Sequence, residues 1–324
     1  MTILLTGAAG FIGAYTARAL LARGEHVVGV DNFNDYYDPQ IKRDRVAALC
    51  PGLDLRTLDV ADKPALDALF AQVRPNRIIH LAAQAGVRYS LQNPYAYLHS
   101  NWTGFLNILE ACRHGDVKHL VYASSSSVYG RNATAPFAES QTIDQPLSLY
   151  AASKASNELM AHCYAHLYRL ACTGLRFFTV YGPWGRPDMA PLLFSRAILA
   201  GRPIEVFNHG KMRRDFTHID DIVAGVLGAL ENPPRDDATN PPCAIFNLGN
   251  HTPVELEHFI AVIEQAAGRK ATRIDKPMQP GDMRETSAST QRAHAAFGFE
   301  PRTTIEIGLP PVVTWCKGYF ANAL

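Results

Sequence analysis

The sequence predicts an α/β protein: a Rossmann-type doubly wound parallel sheet over residues 1–180, followed by a smaller mixed α/β lobe over residues 181–324. Three observations predict it. Short apolar runs alternate with helical patterns up to about residue 180, and that alternation builds parallel sheets because each crossover uses a helix. The first run, residues 3–5, leads into Thr6-Gly7-Ala8-Ala9-Gly10-Phe11-Ile12-Gly13, a glycine-rich turn that opens a helix. Beyond residue 180, proline and glycine cluster at residues 182–185, 233–234 and 241–242, and the regular alternation lapses. Some segments of this second lobe are expected to return to the first.

The elements follow in order. After the glycine turn, Ile12, Tyr15, Ala19 and Leu20 share one helix face, and Gly24 stops the helix where a left-handed residue is wanted. Residues 26–30 form a second β-branched run that ends in Asp31. A polar loop over 32–40 precedes a helix over 41–50 and a strand over 53–57. A helix over 64–73 carries proline in its first turn, and a strand over 77–80 follows. Asn93-Pro94 caps and opens a long helix over 94–112, with Leu98, Trp102, Phe105, Leu109 and Cys112 at helical spacing. A strand over 118–123, a helix capped by Ser148 and running to about 169, and a strand over 171–178 complete the first lobe.

The opening unit has a chemical reading. Gly7 permits a tight turn, Gly10 lets a pyrophosphate approach the free N–H groups of the helix N-terminus, and Gly13 lets helix and strand pack closely. Asp31 sits where a carboxylate accepts from both adenosine ribose hydroxyls and repels a 2′-phosphate, which favours NAD over NADP.

Whole-chain numbers narrow the partners. Of 324 residues, 47% are apolar and 19% charged, with a formal net charge of +1. That balance supports neither nucleic-acid nor anionic-membrane binding. No apolar run approaches the roughly 20 residues of a membrane helix. The first strand leaves no room ahead of it for a targeting segment, so a cytoplasmic protein is expected. The six cysteines, Cys50, Cys112, Cys163, Cys172, Cys243 and Cys316, are scattered and read as reduced thiols. Glu158, His162 and His166 have a spacing that can bind zinc. A solvated or subunit-facing helix side is the simpler reading, and no metal is expected.

Two further stretches carry reaction chemistry. Ser124-Ser125-Ser126-Ser127-Val128-Tyr129-Gly130 ends a strand, and Tyr150-Ala151-Ala152-Ser153-Lys154 opens a helix. Tyr150 and Lys154 are four residues apart and share a face. Bringing a phenol from its reference value of about 10 to about 7 needs about 4 kcal/mol of preference for the phenolate. A neighbouring ammonium and an oxidised nicotinamide both act in that direction. With a serine hydroxyl on the same substrate oxygen, the trio suits removal of an alcohol proton as a hydride leaves its carbon.

Together, the glycine turn, the serine stretch ending in Val128-Tyr129-Gly130 and the Tyr150/Lys154 pair resemble the extended short-chain dehydrogenase/reductases. Within them, residues 83–90, 179–189 and 214–221 closely resemble UDP-glucuronate 4-epimerases, and the similarity spans nearly the whole chain. The resemblance implies roles. Tyr150 would be base and acid, Lys154 its electrostatic partner and a ribose ligand, and Ser125 the hydroxyl relay. Phe11, Ile12, Asp31, Asn32, Asp59, Val60, Leu81, Ala82, Ala83, Asn101 and Phe178 would line the NAD site. Arg214 and Asp282 would hold the UDP. Read without the resemblance, the basic run Lys211, Arg213 and Arg214, with Asn208 and Gly210 before it, suits a diphosphate clamp better than a nucleic-acid patch.

Ser125, Ser126 and Ser127 are each candidates for the sugar contact. Arg186, with Thr179, would bind the sugar carboxylate; taken alone, it reads equally as a solvated loop arginine. Arg88 would contact a phosphate or the sugar acid, or tie down its own loop. Ser127 stands where dehydratases and decarboxylases of the superfamily typically have glutamate, and Ser287-Ala288-Ser289 stands where the family has Tyr-Ala-Asp.

The implied activity is C4 epimerisation of UDP-glucuronate through a 4-keto sugar, with NAD retained. Two other readings are a UDP-glucose/galactose 4-epimerase, which usually carries a longer insert at 182–189, and an NAD sensor without catalysis, which generally lacks the Tyr/Lys pair. The apolar faces of helices 94–112 and 148–169 predict a homodimer built on a four-helix interface, as in related epimerases.

Overall fold

The computed structural model describes residues 1–131, 134–237, 239–278 and 283–321. β1 (Thr2–Thr6), β2 (His26–Asp31) and β3 (Asp54–Thr57) alternate with α1 (Phe11–Ala22), α2 (Pro39–Leu49) and α3 (Lys63–Val73). Ile3, Leu4 and Leu5 of β1 are wholly buried. Ile3 and Leu5 face one apolar layer and Leu4 the other. A strand covered on both sides reads as a continuous apolar run, not as an alternation. Asp38 and Asp62 cap α2 and α3 by accepting backbone N–H bonds, each ahead of a proline in the first turn.

β4 (Arg77–His80) is followed by two short helices, α4 (Tyr89–Gln92) and α5 (Pro94–Tyr97). The helix expected over 94–112 is not regular: α5 passes through a π-helical turn, Leu98–Thr103, into α6 (Gly104–His114). The Gly104 N–H reaches back five residues to His99. The loosened turn lets the Asn101 carbonyl accept from Asn157 at 2.7 Å. β5 (His119–Ser125), α7 (Leu149–Tyr168) and β6 (Cys172–Phe177) follow. Ser148 caps α7 by accepting from the Ala151 N–H.

The remaining chain contributes β7 (Thr179–Tyr181), α8 (Ala190–Leu199), β8 (Ile204–Phe207), β9 (Arg213–Arg214), β10 (Phe216–His218) and α9 (Ile219–Glu231). It ends with β11 (Cys243–Leu248), β12 (Val254–Glu255), α10 (Leu256–Ala267), β13 (Arg273–Lys276), α11 (Gln291–Phe297) and α12 (Ile305–Tyr319). β11 enters the large sheet beside β6, and α9 packs on α1 in the same apolar layer.

The sheet has seven parallel strands in the order β11-β6-β5-β4-β1-β2-β3. Away from it, α8, α10 and α12 enclose a separate apolar cluster over β8, with Ile198, Phe259 and Val312 at its centre. Strand order reverses between β1 and β4, and in open α/β sheets the crevice outside the strand ends at such a point is where ligands bind. Among the described residues, no helix is long and apolar enough to cross a membrane.

Candidate active site

A cavity of about 350 Å³ opens at that reversal, over the C-terminal ends of β1, β2, β4, β5 and β6. Its floor is the glycine turn. Gly7 adopts a left-handed φ of 69°, and a Cβ there would lie 2.7 Å from the Ala82 nitrogen. A Cβ on Gly13 would fall 2.0 Å from the Gly7 carbonyl oxygen, so the helix could not seat against the turn. No side chain caps α1 at Gly10, and the first-turn N–H groups and helix dipole face the cavity as an anion cradle.

At the end of β2, the Asp31 carboxylate accepts from the Ala9 N–H at 3.1 Å and the Phe33 N–H at 2.9 Å. The Lys42 ammonium stands 3.6 Å away and donates to the Asn34 side chain at 2.8 Å. Both charges are almost fully buried, which is tolerable because they lie side by side. Asp59 closes this end. Burial would raise its carboxyl, but bonds from the Ala61 N–H, Asn32 and His99 hold it below the ordinary carboxylate range. The cradle a side chain would fill, the uncapped helix and the ribose-side carboxylate together fit a dinucleotide.

At the other end, α7 brings Tyr150 and Lys154 against the end of β5. The Lys154 ammonium donates to the Ala123 carbonyl at 2.9 Å, and burial pulls its pKa down to about 8. Burial pushes the Tyr150 phenol up, while a hydrogen bond with Ser125 and the charge of Arg186 pull it down. The three adjacent serines are thereby separated. Ser125 faces Tyr150, and Ser127 lies 3.2 Å from the Ser125 hydroxyl. Ser126 lines the wall without a place in that chain. Ser124 points away and donates to Glu158 at 2.5 Å.

Glu158 corrects the solvated-face reading. It is buried and takes a two-pronged bond from Arg176, at 2.9 and 2.7 Å. His162 and His166 on the same helix are exposed. Beneath the floor, His80 bonds Thr6 at 2.7 Å, and burial, with the Lys154 charge, holds its pKa near 3, so it is a neutral ring.

The turn over residues 182–189 forms the opposite wall. Arg186 is not a solvated loop arginine: its guanidinium lines the cavity and forks onto Asp188, Nε to Oδ1 at 3.0 Å and Nη2 to Oδ2 at 2.5 Å. A side chain unremarked in the sequence holds this turn in place. Arg45 of α2 is wholly buried and donates to the carbonyls of Ala9 at 2.7 Å and Trp184 at 2.9 Å, bridging the glycine turn and the 182–189 turn.

The cavity wall gathers Gly7, Gly10, Phe11, Ile12, Gly13, Asp31, Asn32, Asp59, Val60, Leu81, Ala82, Ala83, Ser125, Ser126, Ser127, Tyr150, Lys154, Phe178, Thr179 and Arg186. Three expected residues stand off it. Asn101 is buried behind the wall, pairing with the Gln84 backbone through both side-chain ends and with Ser153. Arg88 lies over the Phe207 ring at 4.9 Å. Arg214 on β9 donates to the Arg213 carbonyl, and within the expected clamp Arg213 pairs with Glu255 and Glu285.

Asp282 lies outside the described residues. The Ser287-Ala288-Ser289 segment is structural here: it bridges to Phe137, and the Ala288 N–H donates to buried Asp215 at 2.9 Å. Lys42, Gln84 and Tyr36 line the wall but carry no sequence signal that separates them from surface residues.

The sequence model of the NAD dependent epimerase/dehydratase family matches residues 3–249. A probable UDP-glucuronate 4-epimerase of Rhizobium meliloti (strain 1021) is 45% identical, over 100% of this chain and 99% of its own. UDP-glucuronate 4-epimerase 3 of Arabidopsis thaliana is 46% identical, over 98% of this chain and 77% of its own. Among solved structures, UDP-glucuronic acid 4-epimerase from Bacillus cereus in complex with UDP-glucuronic acid and NAD superposes with a TM-score of 0.90 at 32% identity, covering 98% of this chain and 99% of that one.

Proposed function

This chain belongs to the NAD dependent epimerase/dehydratase family, and from that premise we propose that it interconverts UDP-glucuronate and UDP-galacturonate by inverting C4. The observation that carries this reading is the presence of the Arg186 guanidinium in the same cavity as Tyr150, Ser125 and Lys154. A proton-transfer trio alone fits any sugar alcohol. A fixed cation beside it fits a sugar acid.

NAD bound along the glycine turn supplies a reversible hydride acceptor at C4. Asp31 would hold the adenosine ribose and α1 the pyrophosphate. Tyr150 takes the 4-hydroxyl proton, with Ser125 bonded to the same oxygen. Lys154 stabilises the phenolate and would hold the nicotinamide ribose. The 4-keto sugar then turns over within the cavity, and Tyr150 returns the proton when the opposite face is reduced. Because the ketone is β to the C6 carboxylate, that carboxylate must be held so that the C5–C6 bond stays out of line with the carbonyl π system. Arg186 and Thr179 hold it. Arg214 contributes to the diphosphate from the second lobe, residues 181–324.

We further propose a homodimer. Leu91, Tyr95, Leu98 and Leu106 expose an apolar stripe on α4 to α6, and Leu159 and Leu167 expose one on neighbouring α7. Exposed apolar side chains on adjoining helices are what subunit interfaces cover.

Incubation of the purified protein with UDP-glucuronate and no added NAD tests the activity. Formation of UDP-galacturonate, resolved by NMR, is expected. Bound NAD without epimerisation of any UDP-sugar would overturn the reading.

A further inference from the structure

Resting on the epimerase reading above, we propose that Asp188, backed by Tyr36, is the positioning residue that aims Arg186, and that this aim decides whether the keto sugar is epimerised or loses its carboxylate. Asp188 is not on the cavity wall, whereas Arg186 and Tyr36 are. Its two oxygens accept the Nε and Nη2 edge of Arg186 at 3.0 and 2.5 Å. Oδ2 also accepts the Tyr36 hydroxyl at 2.9 Å. Tyr36 comes from the loop after β2 and Arg186 from the turn before α8, so the bonds tie together two walls of the cavity. The site is shaped to admit Tyr36: Gly86 has a left-handed φ of 106°, and a Cβ there would lie 2.8 Å from the Tyr36 hydroxyl.

A guanidinium offers two bidentate edges. Here the Nε/Nη2 edge is taken, so a substrate carboxylate is met by the Nη1/Nη2 end. Arg186 then stands between two carboxylates, one fixed and one on the substrate. Asp188 weakens the attraction for the second but sets its direction, which is the property the keto intermediate needs. If the aim is lost, the C5–C6 bond aligns with the C4 carbonyl and breaks. Its electron pair enters the carbonyl as an enolate, CO2 leaves, and C5 takes a proton, giving a 4-keto pentose nucleotide.

The electrostatics are consistent with such a post. The charge of Arg186 acts against the burial that raises Tyr150, and at Asp188 the Arg186 charge and the bonds from Arg186 and Tyr36 together outweigh burial and hold its carboxyl below the ordinary range. Asp188 therefore also damps the cation beside the base.

The test compares wild type, Asp188→Asn, Asp188→Glu and Tyr36→Phe on UDP-glucuronate, with folding checked by thermal melts and products quantified by NMR. For Asp188→Asn, the pentose fraction should rise roughly tenfold or more. The acidic limb of its kcat profile should move to lower pH, because Arg186 loses its counter-charge. Tyr36→Phe should move the partition in the same direction by less, and Asp188→Glu should restore part of it. Wild-type partition and pH limb in both Asp188→Asn and Tyr36→Phe would overturn the proposal and leave the epimerase reading standing. So would an inactive Asp188→Asn with unchanged partition in Tyr36→Phe. Failure of the wild type to epimerise UDP-glucuronate would overturn both.

Discussion

At the scale of single residues, the proposed chemistry turns on the ionisation of Tyr150. Burial raises it, and the hydrogen bond with Ser125 and the charge of Arg186 offset that rise only in part. Ser125→Ala removes one such bond, so the acidic limb of kcat/KM should move to higher pH. An unshifted limb would remove Ser125 from the proton path. Lys154 sets the other limit. Its pKa lies below the ordinary lysine value, at about 8, because it is buried. Its charge is therefore present below about pH 8 and lost above it, and activity should decline as pH rises through that value.

Tyr150→Phe should reduce turnover by about 10³-fold, within the range that general acid–base groups supply, while UDP-sugar binding measured by calorimetry persists. These positions were legible in the sequence because their spacing carries the chemistry: glycines at three-residue intervals, an acid ending the second strand, and tyrosine and lysine one helical turn apart. Asp188 was not. An aspartate two residues from an arginine in a Pro/Gly turn has no periodicity, and its partner Tyr36 is 152 positions away in the chain.

At the scale of elements, the glycine turn and the 182–189 turn are held together because Arg45 of α2 bonds both. Its sequence context, Lys-Arg-Asp-Arg, reads as a solvated helix face. Only the tertiary fold shows that Lys42 and Arg45 point inward. Arg45→Ala leaves buried carbonyls without donors, a cost of about 3 kcal/mol in stability. It should lower the melting temperature and loosen the 182–189 turn, seen as faster amide exchange there. An unchanged melt would mean the tether is not structural. The alternation of strands and helices up to β6 was readable from apolar periodicity. The π turn before α6 was not, since residues 98, 102, 105, 109 and 112 fit a regular helix equally well. The turn carries Asn101, whose bonds to Gln84, Ser153 and Asn157 reach residues far away in the chain. Nor does any local pattern mark β11 as the strand that completes the large sheet after a long excursion.

At the scale of the whole molecule, the exposed leucines of α4 to α7 are the surface that the proposed dimer would cover. Light scattering at micromolar concentration should give a dimer, and the double substitution Leu159→Glu with Leu167→Glu should give a folded monomer. A wild-type monomer would contradict the proposed interface. The central claim concerns one hydrogen: it leaves C4 of the sugar and returns to the same carbon from the other side, without meeting water. Turnover of UDP-glucuronate in D2O, followed by NMR at each ring position, tests it most directly. Product UDP-galacturonate carrying protium at C4 is the expected result; deuterium at C4 would contradict the account.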